Sequence, residues 1–118
     1  MQPAPTPATS AAPFPYEGPE ALRQPIEAAL RRVVDPEVAM SVVDVGLIYG
    51  VAVSDQLVHL TITMTSPACP VTDVILDEVQ SELDRVVPAH YQIEVELVWE
   101  PPWTPDRMSA KAKAFMGW

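Results

Sequence analysis

With 118 residues the chain is long enough for one two-layer domain and too short for two. Sixteen acidic residues against seven basic ones leave a net charge of -9, which argues against nucleic acid and anionic membrane as partners, since both need clustered Lys or Arg. The single cysteine excludes an intramolecular disulfide and a four-thiolate zinc site within one protomer, the pattern of a reducing compartment, with the cytoplasm as the default. No run approaches the ~20 apolar residues of a membrane span, and no basic start followed by an apolar stretch marks an export signal.

Residues 1–18 are rich in Pro, Ala, Thr and Ser and poor in large apolar groups. They cannot bury enough surface to offset their ordering entropy, so a disordered tail is expected ahead of a domain over 19–118. Leu22, Ile26, Ala29, Leu30 and Val33 then form one apolar stripe at helical period. Either Pro19 occupies the first turn and Pro25 kinks this helix, or the regular helix begins at Pro25; it must stop before Pro36, which pushes Asp35 out of the α region.

Two strands are expected next, over 47–53 and 57–64, joined through Ser54-Asp55-Gln56 as a hairpin. In the second strand Val58, Leu60, Ile62 and Met64 face one way, and Leu57, His59, Thr61 and Thr63 the other, giving a sheet with one wet face. A second helix over 70–87 buries Val71, Ile75, Val79, Leu83 and Val86 and leaves Asp77, Glu78, Glu82 and Asp84 solvated. A third strand over 91–99 points Ile93, Val95, Leu97 and Trp99 inward, and a short helix over 109–116 closes the chain. The expected fold is α/β in two layers: a small mixed three-stranded sheet in the order α-β-β-α-β-α, with the helices packed on one face.

Strand directions locate a candidate site. A hairpin places the start of its first strand beside the end of its second, so loop 35–46 neighbours loop 65–70. The helical crossover brings the third strand up parallel to the second, and loop 99–106 emerges at the same edge. That edge collects Asp35, Glu37 and Asp44, then Thr65, Ser66 and Cys69, then Trp103, read as a lid over the sheet end. Each has a plainer role open to it: Asp35 as a turn former before proline, Glu37 as a solvated charge, Thr65 and Ser66 as helix caps.

Cys69 carries the most chemistry. A lone cysteine is commonly a small buried hydrophobe. Here the flanking Pro67 and Pro70 and the polar Thr65 and Ser66 point to an N-cap thiol with Pro70 at the first helical position, where unpaired N-H groups favour the thiolate. His59 on an outward strand face and His90 in a loop are not placed to pair with it, which argues against a Cys-His protease dyad.

Four segments in order are recognisable: Asp35-Pro36-Glu37-Val38, Val43-Asp44-Val45-Gly46-Leu47-Ile48-Tyr49, Met64-Thr65-Ser66-Pro67-Ala68-Cys69-Pro70, and Pro101-Pro102-Trp103-Thr104-Pro105-Asp106-Arg107-Met108-Ser109. Together they resemble the metal-sulfur cluster assembly family, which includes SufT-type and PaaD-type iron-sulfur maturation factors, over about residues 20–118. The chain lacks the cysteine-rich C-terminal extension of the PaaD type, so the SufT-type branch is nearer, and Ser66 replaces a common second Thr with the hydroxyl kept.

The resemblance implies a role in maturing iron-sulfur proteins with Cys69 as the functional thiol, a ligand to a transient cluster or a sulfur carrier. It also implies that Asp35, Glu37, Thr65 and Ser66 border one pocket. Partners would be the iron-sulfur assembly machinery and apo-protein clients. A [2Fe-2S] cluster generally takes four ligands, so one thiol per protomer points to a bridged homodimer, with Trp103 and Met108 as exposed interface residues. This reading favours a non-catalytic assembly factor over an enzyme. A thiol-dependent sulfur transferase and an adaptor in which Cys69 is structural remain the alternatives.

Overall fold

A computed structural model describes residues 14–36, 38–65 and 71–117. Strand β1 (Tyr16–Glu17) leads into helix α1 (Glu20–Arg31). A ribbon of β2 (Val34–Asp35) and β3 (Met40–Ser41) follows, then the one-turn helix α2 (Val42–Val45). Strands β4 (Ile48–Ser54) and β5 (Leu57–Ile62), helix α3 (Thr72–Val86), strand β6 (Gln92–Leu97), a 3-10 turn (Pro105–Arg107) and helix α4 (Ala110–Met116) complete the chain.

The main sheet has the order β1-β4-β5-β6. β4 and β5 form the antiparallel hairpin, and β6 runs parallel to β5 with Val58 beside Ile93 and Ile62 beside Leu97. The two expected strand relations are both present. The sheet has four strands rather than three because Tyr16 and Glu17 pair in parallel with Val51 and Ala52. This also corrects the expected tail: Phe14 is 6% exposed and the Val51 N-H donates to the Pro15 carbonyl at 2.9 Å, so 14–18 belong to the fold. Two aromatics and a β-pairing outweigh the Pro- and Ala-rich composition that argues for disorder. Residues 1–13 lie outside the described residues.

Helices α1 and α3 cover one sheet face. Ile26, Ala29 and Leu30 from the first, Val33 just beyond its end, and Ile75, Val79 and Leu83 from the second are fully buried in one core with Val58, Leu60 and Ile62. The 3.6-residue stripes in the sequence therefore meet the period-2 stripe of β5, which is what a two-layer core requires. α1 begins after Pro19 and contains Pro25, so the longer of the two expected helices is the one formed. Arg32 ties the pair together through its ion pair with Glu82 at 2.8 Å.

Three side chains differ from their expected places. β6 ends at Leu97, and Trp99 turns outward with 40% of its surface exposed. Pro101 and Pro102 have no N-H to prolong the ladder, whose last rung is the Val98 N-H on the Ile62 carbonyl at 2.9 Å. Thr63, expected on the wet face, is fully buried just beyond the last rung of the hairpin. Met108, expected exposed, is 5% exposed.

Candidate functional site

Four backbone and side-chain approaches gather the loops at one end of the sheet. The Thr63 N-H donates to the Leu47 carbonyl at 2.8 Å, joining the end of β5 to the start of β4. The Trp103 indole N-H donates to the Val45 carbonyl at 2.8 Å, and the Ser109 N-H to the Asp44 carbonyl at 2.9 Å. Gly46, at φ +86°, lets the Arg107 backbone approach so closely that a Cβ would lie 2.2 Å from its carbonyl oxygen. The segments before β4, after β5 and after β6 thus converge as the strand directions require.

Loop 35–46 is more structured than expected. The Asp35 carbonyl accepts from the Val38 and Ala39 N-H groups at 3.2 and 2.8 Å, closing the turn of the β2-β3 ribbon, and the Asp35 residue is 1% exposed. Ser41 caps α2 by accepting the Asp44 N-H at 3.1 Å. Ser41-Val42-Val43-Asp44 is a helix-start pattern legible in the sequence once sought, with an acidic group at the third helical position.

Asp44 is a fastening as well as part of a cavity wall, which it shares with Met40, Ser41, Lys111 and Phe115. Its carboxylate accepts from the Ser109 hydroxyl at 3.0 Å, the Ser41 hydroxyl at 3.2 Å and the Arg31 guanidinium at 3.4 Å. Three segments far apart in the chain are joined at one charge, where charge-assisted bonds are stronger than neutral ones. Trp103 is half-buried and packs on the core. Tyr49 completes this wall: its hydroxyl donates to the Pro101 carbonyl at 2.6 Å, and the Arg107 guanidinium lies 4.3 Å from its ring centroid.

Thr65 is half-buried at the point where the chain leaves this cluster. Glu37, Ser66 and Cys69 lie outside the described residues. α3 begins at Thr72 with Val71 at its N-cap position and no side-chain cap there, which corrects the expected helix start at Pro70. Cys69 thus precedes the N-cap by two residues, and the helix-terminus argument for its thiolate loses force, since that effect is confined to the terminal turn. Sequence reasoning missed Thr63: its hydroxyl is fully buried and finds no hydrogen-bond partner among the described residues, an uncompensated polar group two positions before Thr65.

The chain is also similar to known proteins. The sequence profile of a family described as iron-sulfur cluster assembly protein matches residues 23–97. A Bacillus subtilis (strain 168) protein named Fe-S protein maturation auxiliary factor YitW is 46% identical over 99 residues, covering 83% of this chain and 96% of that protein. Fe-S protein maturation auxiliary factor SufT of Staphylococcus aureus (strain USA300) is 42% identical over 86 residues, 72% of this chain and 97% of that one. Among solved structures, a domain of unknown function, DUF59, from Bacillus anthracis matches with a TM-score of 0.77 at 39% identity, over 83% of this chain and 93% of that one. From the profile match through both layers of the core, and from relatives matched over nearly their whole length, this chain belongs to the iron-sulfur cluster assembly protein family.

Proposed function

We propose that this protein is an iron-sulfur maturation factor that handles clusters, or delivers them to apo-proteins, through Cys69. The carrying observation is that the chain's one thiol falls inside the span matched by the family, on the segment leaving the loop cluster at Thr63 and Thr65. A thiolate is the form that binds iron or accepts sulfur. The cluster is cargo in this reading, and Cys69 supplies one of about four ligands. A second copy of the chain supplies another, which makes the loaded form a bridged homodimer; machinery, clients or a small thiol supply the rest. Met108, being buried, is withdrawn from that interface. Among the described residues no helix is long and apolar enough to cross a membrane, and the single cysteine supports a cytoplasmic setting.

Anaerobic reconstitution with iron and sulfide, followed by absorption spectroscopy and transfer to an apo-protein, tests the proposal on wild type and Cys69→Ala. Wild type should gain cluster absorption and activate the client, and the variant should do neither. Equal client maturation by the variant would overturn the role of Cys69 and favour an adaptor. Steady sulfur transfer by the isolated protein without a cluster would favour a transferase. Sedimentation with and without cluster reads the dimer: a monomer holding a stable cluster rules out bridging.

A further inference from the structure

β6 is the long edge of the sheet. The Gln92 N-H donates to the Gln56 carbonyl at 2.8 Å and the Val98 N-H to the Ile62 carbonyl at 2.9 Å, so the even-numbered residues of this strand face β5. Backbone groups alternate in direction along a strand. The N-H and C=O groups of Ile93, Val95 and Leu97 therefore point away from the sheet, and among the described residues nothing bonds to them.

Proteins normally blunt such an edge with proline, lysine, a bulge or brevity. Over its six residues β6 has neither proline, lysine nor a bulge, and its protecting charges are those of Glu94 and Glu96; Pro88 and Pro101 stand outside both ends. Its apolar row is also incompletely covered. Ile93, Val95 and Leu97 are only partly buried, while their neighbours Val58, Leu60 and Ile62 on β5 are 0% exposed. The core continues past the last strand.

The opposite face of the edge is acidic. Glu94 and Glu96 are 66% and 55% exposed, with His59 of β5 at 4.0 and 2.9 Å from their carboxylates. These charges decide the occupant. Two copies paired antiparallel through β6 about Val95 would set Glu94 against Glu96 of the other copy, and like charges directly opposite destabilise a sheet. The chain's own residues 1–13 hold four prolines and no Lys or Arg, so they neither match the charge nor form a continuous ladder.

We infer that β6 is a docking edge for an extended segment of a partner protein in which apolar residues alternate with Lys or Arg. The segment adds as a fifth strand: its backbone pairs with Ile93, Val95 and Leu97, its apolar side chains extend the half-covered row, and its cations face Glu94 and Glu96. This inference does not depend on Cys69.

Amide hydrogen exchange on the full chain tests it, with two acetylated hexapeptide probes, one alternating Lys and Val, the other Glu and Val. The Lys-Val peptide should slow exchange at Ile93, Val95 and Leu97 by about tenfold or more at saturation, with the effect weakening as salt rises. Glu94→Lys with Glu96→Lys should transfer the preference to the Glu-Val peptide. Val95→Pro should abolish the protection, because its ring replaces an outward N-H without removing a bond to β5. Should that variant unfold, the charge-reversed pair carries the test alone. Absence of protection with either peptide would overturn the inference, as would equal protection by both. Protection that appears without peptide and grows with protein concentration would overturn it in favour of pairing between copies.

Discussion

The Ser109 hydroxyl donates to the Asp44 carboxylate at 3.0 Å, a bond between residues 65 positions apart that fastens the start of α4 to the start of α2. The same carboxylate holds Ser41 and Arg31, so its removal takes the acceptor from the Ser109 and Ser41 hydroxyls, while Arg31 keeps its ion pair with Glu27. Asp44→Ala should cost about 1–3 kcal/mol, as for other part-buried charged bonds. In a domain of this size that lowers the melting temperature by about 4–8 °C per kcal/mol. Asp44→Asn keeps an oxygen for Ser109 and should cost less. A thermal melt of Asp44→Ala that overlays wild type would show the bonds add nothing to the fold.

Gly46 and Gly117 both hold positive φ at helix ends, at +86° and +81°, yet they differ in what surrounds them. A Cβ on Gly46 meets the Arg107 carbonyl oxygen at 2.2 Å, while one on Gly117 meets nothing within 4 Å. Gly117→Ala should therefore cost only the left-handed penalty of about 1–2 kcal/mol. Gly46→Ala adds a backbone collision and must displace the 105–109 segment. Urea titration of the two alanine variants should separate them clearly; equal midpoints would mean the Arg107 approach is readily relaxed.

Much of this architecture is legible in the sequence, and the omissions have physical causes. The α1 and α3 stripes and the alternation in β5 appear because long, periodic elements repeat one pattern many times. Parallel β6, and the meeting of the segments before β4 and after β6 at the end of β5, follow from strand direction alone. β1 escapes sequence reasoning because two residues cannot display a period, and its pairing to Val51 and Ala52 is a tertiary event. Asp44 is recognisable as a residue of the loop before β4, but its fastening role is not, since Ser109 and Arg31 reach it only after the chain has folded. Val71 displaces Cys69 from the N-cap because Pro70 marks a region where a helix can begin, not the residue at which it does.

Tyr16 gives the fold an alkaline sensitivity. Burial, and then the negative charge of Glu20, push its phenol above the ordinary value, and its hydroxyl donates to the Pro19 carbonyl at 2.6 Å. The folded chain thus holds this proton more tightly than the unfolded one. Its contribution is intact below about pH 10 and is lost as pH rises through the folded value. Tyr16→Phe forfeits the hydrogen bond at every pH but removes that decline. Urea midpoints of the two proteins should converge between about pH 8 and pH 11, a comparison in which the titration of all other groups cancels. A constant gap across that range would mean Tyr16 ionises equally in both states.

Removing residues 1–13 and removing 1–18 should have different consequences. The shorter deletion takes away a segment whose composition has no core-facing pattern, and its melting temperature should match the full chain. The longer one also removes Phe14, 6% exposed, the Pro15 carbonyl that accepts from Val51, and the β1-β4 pairing. Loss of a buried Phe alone costs about 3–5 kcal/mol in a well-packed core, so the second variant should melt many degrees lower. Phe14→Ala in the full-length chain isolates the side chain from the strand. If the protein lacking 1–18 melts with wild type, the packing of Phe14 on the sheet contributes nothing to stability, and the domain begins at α1 as its composition first suggests.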